Sequence, residues 1–138
     1  ASSWRRDDPR WNDLPRIAAV CAGGPPCDFQ TLPPTNTAMA YFLGGSRAEL
    51  PEVYRAASPI AHVSADDPVT LVIHGDADVI VPIDGSLRFH EAQVDVGSDS
   101  RPPTMPRQGH MLTFINPETV RRLVEFFDEV LAPDSTSR

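Results

Sequence analysis

Lysine is absent from this chain of 138 residues: all 12 basic side chains are arginines, set against 19 carboxylates for a net charge of −7. That balance excludes the basic face a nucleic-acid partner requires, and it argues equally against an anionic membrane surface. No apolar run reaches the ~18–20 residues that cross a bilayer. Arg5-Arg6 stands near the start, but Asp7-Asp8-Pro9-Arg10 follows where a signal peptide would turn apolar. Cysteine is scarce. Cys21 and Cys27 are spaced unlike a zinc knuckle and are too few for a disulfide scaffold, so the redox compartment stays open. Internal repeats are lacking, and the chain begins at Ala1 without a methionine, as a processed protein or a piece of a longer one would.

Proline is plentiful, with 15 residues, and calls for many loops and short elements within one domain-sized chain. Residues 1–15 are polar, with Trp4 and Trp11 among charges and prolines, and form an irregular lead-in. Residues 16–22 (RIAAVCA) make a short apolar run halted by Gly23-Gly24-Pro25-Pro26, the pattern of a buried strand with a sharp stop. A proline-containing loop over 28–36 leads to two short helices, over 37–43 and from Pro51 to about residue 57. Residues 69–73 are continuously apolar and β-branched, as in a parallel strand covered on both faces. A helix is expected from Ile83 or Asp84 to about Val94, with Leu87, His90 or Glu91, and Val94 at helical spacing. The next strand falls near 101–105, where Pro102-Pro103 confine it to a short or edge position.

The last helix carries the clearest signals. Asn116 is a natural N-cap, Pro117 suits the first turn, and Glu118 complements the dipole. Val120, Leu123, Val124, Phe127, Val130 and Leu131 mark its apolar face, and Pro133 ends it ahead of a mobile tail at 133–138. The order of elements predicts an α/β fold, a parallel sheet with flanking helices over 16–132.

At the end of the 69–73 strand stands "HGDADVIVP" (74–82), which puts Asp76 and Asp78 in a turn. Two carboxylates there suit a catalytic acid, a pair of metal ligands, or turn capping alone. Other stretches narrow the choice: "AGGPPCDF" (22–29), "FLGG" (42–45), "YRAASPIAHVSADDPV" (54–69) and "QGHMLTF" (108–114). Together, and in this order, they resemble the C-terminal half of an α/β-hydrolase, in the esterase/lipase-like branch related to acetyl esterases and prolyl oligopeptidases. "AGGPPCDF" is similar to that branch's "GPTDF" turn, "HGDADVIVP" to its acid motif HGxxDxxVP, and "QGHMLTF" to its histidine loop. The resemblance covers nearly everything after residue 15.

It implies that Asp78 is the acid and His110 the base of a serine-hydrolase triad, most closely that of a carboxylesterase acting on a small ester, with no metal or organic cofactor. The chemistry agrees: a catalytic histidine needs a carboxylate to fix its tautomer and steady the imidazolium. Both groups follow strand signals, so a parallel sheet would bring them to one carboxyl edge. Asp76 is then a turn cap. His74 is expected to be a bonded structural residue, His62 and His90 to be peripheral, and Met111, Leu112 and Phe114 to pack the histidine loop.

Two parts of that machinery are missing. No GxSxG elbow and no HGGG-type oxyanion loop occur anywhere in the chain. Cys21 in "AVCAGG" (19–24) is no substitute, because a nucleophile elbow must open a helix and Pro25-Pro26 forbids one. The chain alone is therefore expected to be inactive. Its apolar first strand, lacking an upstream neighbour, is expected to be covered by the missing half, by a second copy, or by the lead-in folded back through Trp4 and Trp11. Two rivals remain: a non-catalytic hydrolase-derived fragment or binding module, and a magnesium-dependent phosphotransferase using the aspartates at 76–78. The second would need a lysine to offset phosphate charge, and there is none.

Overall fold

The computed structural model describes residues 15–132; Trp4 and Trp11, nearly all of the lead-in, and the tail at 133–138 lie outside them. Three parallel strands form one sheet in the order β1-β2-β3, with β1 at Ala19–Gly23, β2 at Val69–Ile73 and β3 at Ser100–Arg101. The α/β class with a parallel sheet is as expected. β1 pairs with β2 from Ala19↔Val69 to Gly23↔Ile73. The ladder opens three residues later than the apolar run at 16–22 implies. Pro68, which has no N–H, precedes the first residue of β2, so residues 16–18 find no partner and stay exposed.

β3 is only two residues long, paired through Thr70↔Ser100 and Leu71↔Arg101. Pro102-Pro103 interrupt the ladder, as their missing donors require. The chain rejoins at Met105, whose N–H donates to His74 O at 2.8 Å and whose carbonyl accepts from Asp76 N at 3.2 Å. This bridge ties the loop after β3 to the loop after β2.

The helices are α1 (Thr37–Leu43), α2 (Pro51–Ala57), α3 (Asp84–Asp95), α4 (His110–Ile115) and α5 (Pro117–Leu131). Asn36 caps α1 by accepting from Met39 N, and Asn116 caps α5 by accepting from Glu118 N. Alternation along β2 sends Leu71 and Ile73 to one face, where they join Met105 and Phe126 of α5 in the core. Thr70 and Val72 face the other way. There Gln93 of α3 donates to Thr70 Oγ1 at 3.1 Å, beside a cavity of about 430 Å³.

Helix α3 buries a face other than the one its apolar residues suggest, and α5 buries only part of its expected stripe, with Phe127 and Val130 packed on the core. On α5 the anchor is Phe126, absent from the expected stripe, while Val120, Val124 and Leu131 of that stripe are exposed. Two apolar rows run along the helix, and the sheet takes the one that carries Phe126 and Val130. On α3 the buried positions are Ser86 and Gln93, whereas Leu87, Glu91 and Val94 are exposed. Ser86 bonds with buried His74 and the Gln93 amide nitrogen with Thr70, while Gln93 Oε1 is buried with no partner among the described residues.

Candidate active site

The site lies at the carboxyl edge of the sheet, where β1, β2 and the loop after β3 all end. β2 runs into Gly75, and any larger residue there would collide: a Cβ would sit 2.0 Å from Gln108 O. Glycine thus lets the loop carrying Gln108 and Gly109 lie directly on the strand end. Ala77 N donates to Gln108 O at 3.1 Å and fastens the two loops.

Asp78 is the pivot of the turn. Its Oδ1 accepts from Ile80 N and Val81 N, both at 2.9 Å, and its Oδ2 lies 2.7 Å from His110 Nδ1. The carboxylate side chain is essentially buried, while the His110 side chain keeps about a fifth of its surface. Burial pushes the Asp78 carboxyl up, but the Val81 amide, the His110 ring and the Ile80 amide outweigh it and hold the group below its ordinary range. An ionised Asp78 accepts the His110 Nδ1–H, which leaves Nε2 as the acceptor of a neutral ring. Among the described residues Nε2 takes no hydrogen-bond partner. The arrangement offers an oriented base at an open edge.

Local geometry explains why His110 arrives there. Gly109 precedes α4, and His110 is the first residue of that helix. What reads as a histidine loop is therefore a short helix. Thr113 is buried on its inner side and Phe114 meets the His110 ring edge-on, with centroids 5.3 Å apart. Met111 and Leu112 do not pack this segment, contrary to expectation; both are exposed, as are Val79 and Ile80 of the Asp78 turn.

The local cap expected of Asp76 falls to Asp78 instead. Asp78 makes the local cap as well as the histidine contact. Asp76, exposed, instead reaches across to accept from Arg107 N at 2.6 Å. Arg107 has a φ of 58°, a left-handed corner that turns the chain toward His110, and Asp76 braces it. Both carboxylates are thus engaged, and among the described residues no three His, Cys, Asp or Glu side chains gather as a metal site.

His62 contacts Ala56 O and His90 contacts Ser100 Oγ, both away from this edge. Cys21 packs against the Phe126 core and burial raises its thiol pKa; Cys27, deeper still, is pushed up to about 11, chiefly by burial. Neither thiol has the electropositive, accessible setting of a nucleophile.

Gly24 was legible only as part of a turn, yet it forms the floor of the site. Its φ is +49°, its N–H donates to Ile73 O at 2.8 Å, and a Cβ there would sit 3.0 Å from His110 Cε1. The positive φ is not visible in the residue string beyond the presence of a glycine pair.

The BD-FAE family matches residues 7–93, a span that includes Asp78 and ends before His110. Esterase LipC of Mycobacterium tuberculosis strain H37Rv is 46% identical over 41 residues, 30% of this chain and 10% of that protein. A truncated form of a carbohydrate esterase from gut microbiota superposes with a TM-score of 0.75 at 28% identity, covering 82% of this chain and 42% of that one. A bifunctional GH43-CE protein of Bacteroides eggerthii gives 0.74 at 28% identity, over 83% of this chain and 16% of that one. A thermophilic esterase of Thermogutta terrifontis gives 0.63 at 20% identity, over 89% and 46%, which speaks to the fold alone. This chain spans less than half the length of each of these proteins. With the family match extending over more than half of its residues, the chain belongs to the BD-FAE family, an α/β-hydrolase-type esterase domain.

Proposed function

We propose that this chain is the C-terminal portion of a serine hydrolase, a carboxylesterase acting on small esters, and that it supplies the acid Asp78 and the base His110. The observation that carries the reading is the 2.7 Å contact of His110 Nδ1 with Asp78 Oδ2, with no hydrogen-bond partner to Nε2 among the described residues. In the whole enzyme a serine from an upstream elbow gives its proton to His110 Nε2 as its oxygen attacks the ester carbonyl. Asp78 stabilises the imidazolium that results. His110 then returns the proton to the departing alcohol, and a water, deprotonated by the same nitrogen, releases the acid. No metal or organic cofactor enters this scheme.

The nucleophile and the oxyanion donors come from the half that pairs with β1. Support comes from β1 itself: among the described residues it has one neighbour, β2, and none of its residues is fully buried. A second copy of the chain is the other occupant of that edge. The two neighbours at 28% identity favour, among small esters, one carried on a carbohydrate.

Hydrolysis of p-nitrophenyl acetate tests the reading. The chain alone should show negligible turnover, because the nucleophile and the largest electrostatic contribution are missing. Joined to the upstream half of an esterase of the same family, it should hydrolyse the ester, and His110→Ala or Asp78→Asn should abolish that activity. Joined protein that folds but stays inactive would support a non-catalytic fragment instead. Turnover by the chain alone that is lost with both His110→Ala and Cys21→Ser would make Cys21 the nucleophile. An acetylated-sugar panel against simple alkyl acetates decides between the two ester classes.

A further inference from the structure

His74 stands at the end of β2 and is wholly buried, as is Ser86 on α3. His74 Nδ1 lies 2.8 Å from Ser86 Oγ, and His74 Nε2 lies 2.8 Å from Val81 O. A carbonyl oxygen can only accept, so Nε2 carries the hydrogen. In a neutral ring Nδ1 must then accept, and Ser86 Oγ–H is the donor that meets it. Behind Ser86, Cys27 Sγ lies 3.7 Å from the same hydroxyl, where either atom can donate, and Pro25 O at 3.3 Å is a second, longer acceptor for the Ser86 hydrogen, so the direction of this buried series is set at His74. The series ends at the acid. His74 Nε2 is 3.2 Å from Asp78 Oδ2, the oxygen that also faces His110. Val81, whose carbonyl His74 holds, is the residue whose N–H donates to Asp78 Oδ1.

We infer that His74 is a positioning residue for the Asp78–His110 pair, with Ser86 fixing its tautomer. This rests on the reading of Asp78 as the triad acid. A shape-filling role would need only a ring of the right size. Instead both ring nitrogens are paired, and the hydrogen on Nε2 is aimed at the turn that carries the acid. By clamping Val81 O and lying against Oδ2, His74 limits the swing of the carboxylate and so the tightness of the His110 Nδ1–H bond. Helix α3 presents Ser86 inward at a position where an amphipathic helix would place an apolar residue, which matches a requirement for a hydroxyl there.

The test uses nitrogen-detected NMR of the histidine rings in the 138-residue chain and needs no catalysis. In the unaltered chain His74 should show a protonated Nε2 and a bare Nδ1, and His110 a slowly exchanging Nδ1–H that vanishes with Asp78→Asn. In His74→Phe that His110 proton should exchange roughly three- to tenfold faster, the share one hydrogen bond contributes. His74→Gln, whose amide N–H can reach Val81 O, should restore most of the protection. Ser86→Ala should loosen it in the same direction, and it decides the matter if His74→Phe does not fold. A His74 ring protonated on Nδ1 would overturn the inference, as would unchanged His110 exchange in folded His74→Phe or Ser86→Ala. So would a Gln variant as loose as Phe, which would reduce His74 to packing. If Asp78→Asn leaves the His110 proton untouched, the Asp78–His110 pairing itself falls, and the inference with it. Loss there without any effect of His74 or Ser86 leaves the pair standing and removes only the positioning role.

Discussion

β1 and β2 are parallel neighbours of five residues each, and their surroundings could hardly differ more. β2 has a strand on either side, four of its five residues are buried, and its end opens into a turn where His74, the Asp78 carboxylate and the Ile80 and Val81 amides are bonded. Among the described residues β1 has a strand on one side only, none of its residues is fully buried, and the outer row of α5 that includes Val120 and Val124 is exposed as well. In the proposed reading, the acid and base side of the site is therefore held together within this chain. In the proposed enzyme the nucleophile belongs on the β1 side, where no strand among the described residues pairs with the outer edge. Half a site can hold together without the other half because Asp78 and His110 are held by loops fastened to each other, at Gly75, Met105 and Gln108, and by no contact that crosses β1's open edge.

The fastening itself is the first thing to break. Gly75→Ala would place a Cβ 2.0 Å from Gln108 O and 2.7 Å from Thr113 Oγ1, and the backbone atom cannot move aside cheaply. Urea denaturation should show a loss on the order of 3–5 kcal/mol, at the extreme of single substitutions. An alanine tolerated within ~1 kcal/mol would mean that the two loops are not in contact in solution.

Asp78→Asn comes next, with an expected loss of about 2–3 kcal/mol at neutral pH, since a buried carboxylate with three donors becomes an amide that suits them poorly. The pH dependence has a definite sign. The folded carboxyl is held below its ordinary 3.8, so its stabilisation is fully present above pH 3.8 and fades as the pH falls toward the lower folded value. The gap between unaltered and Asp78→Asn chains in urea midpoints should therefore narrow only below pH 3.8. A gap that is flat down to pH 2 would mean Asp78 is not the ionised partner.

Much of this was legible in the residues. The β-branched run at 69–73, Asn116-Pro117 at the start of α5 and Pro102-Pro103 just after β3 carry their physics locally, and local signals survive folding. Asp78 and His110 were picked out by motif, and the bridge at Met105 and the loop contacts at Gly75 bring them together. The burial pattern was less readable. Ser86 and Gln93 look like surface residues until their partners His74 and Thr70 are known, and those lie 12 and 23 positions away. Likewise Phe126 and Phe127 are adjacent and equally apolar, and only the docking angle of α5 on the sheet makes Phe126 the anchor. Asp76 looked like the cap because a turn aspartate usually bonds nearby amides. Its donor is 31 residues distant.

Gly24→Ala is a milder probe, and it acts where the finished and unfinished sides meet. The left-handed φ of +49° costs an alanine about 1–2 kcal/mol. The new methyl would also stand 3.0–3.1 Å from Cε1 and Nδ1 of His110. The ring should yield before the strand does, so His110 chemical shifts should change while the backbone signals of β2 stay put. An undisturbed His110 would place β1's end farther from the base than the structure has it.

Val124→Ser should do least, and its smallness is the informative part. Val124 lies half-exposed on the outer row of α5, so removing its apolar surface from an uncovered face should change stability by no more than ~0.5 kcal/mol in dilute solution. Burial is what makes an apolar side chain count, at ~25 cal/mol for each Å² withdrawn from water. If a second copy covers that row, the same substitution removes buried area from the interface. Its cost would then rise with protein concentration, and light scattering would show dimers that Val124→Ser dissociates. When the chain is joined to an upstream half, the cost should reappear without any concentration dependence, because the covering surface is then part of the same molecule. A concentration-independent loss of ~1–2 kcal/mol in the chain alone would mean that part of this chain already covers the row.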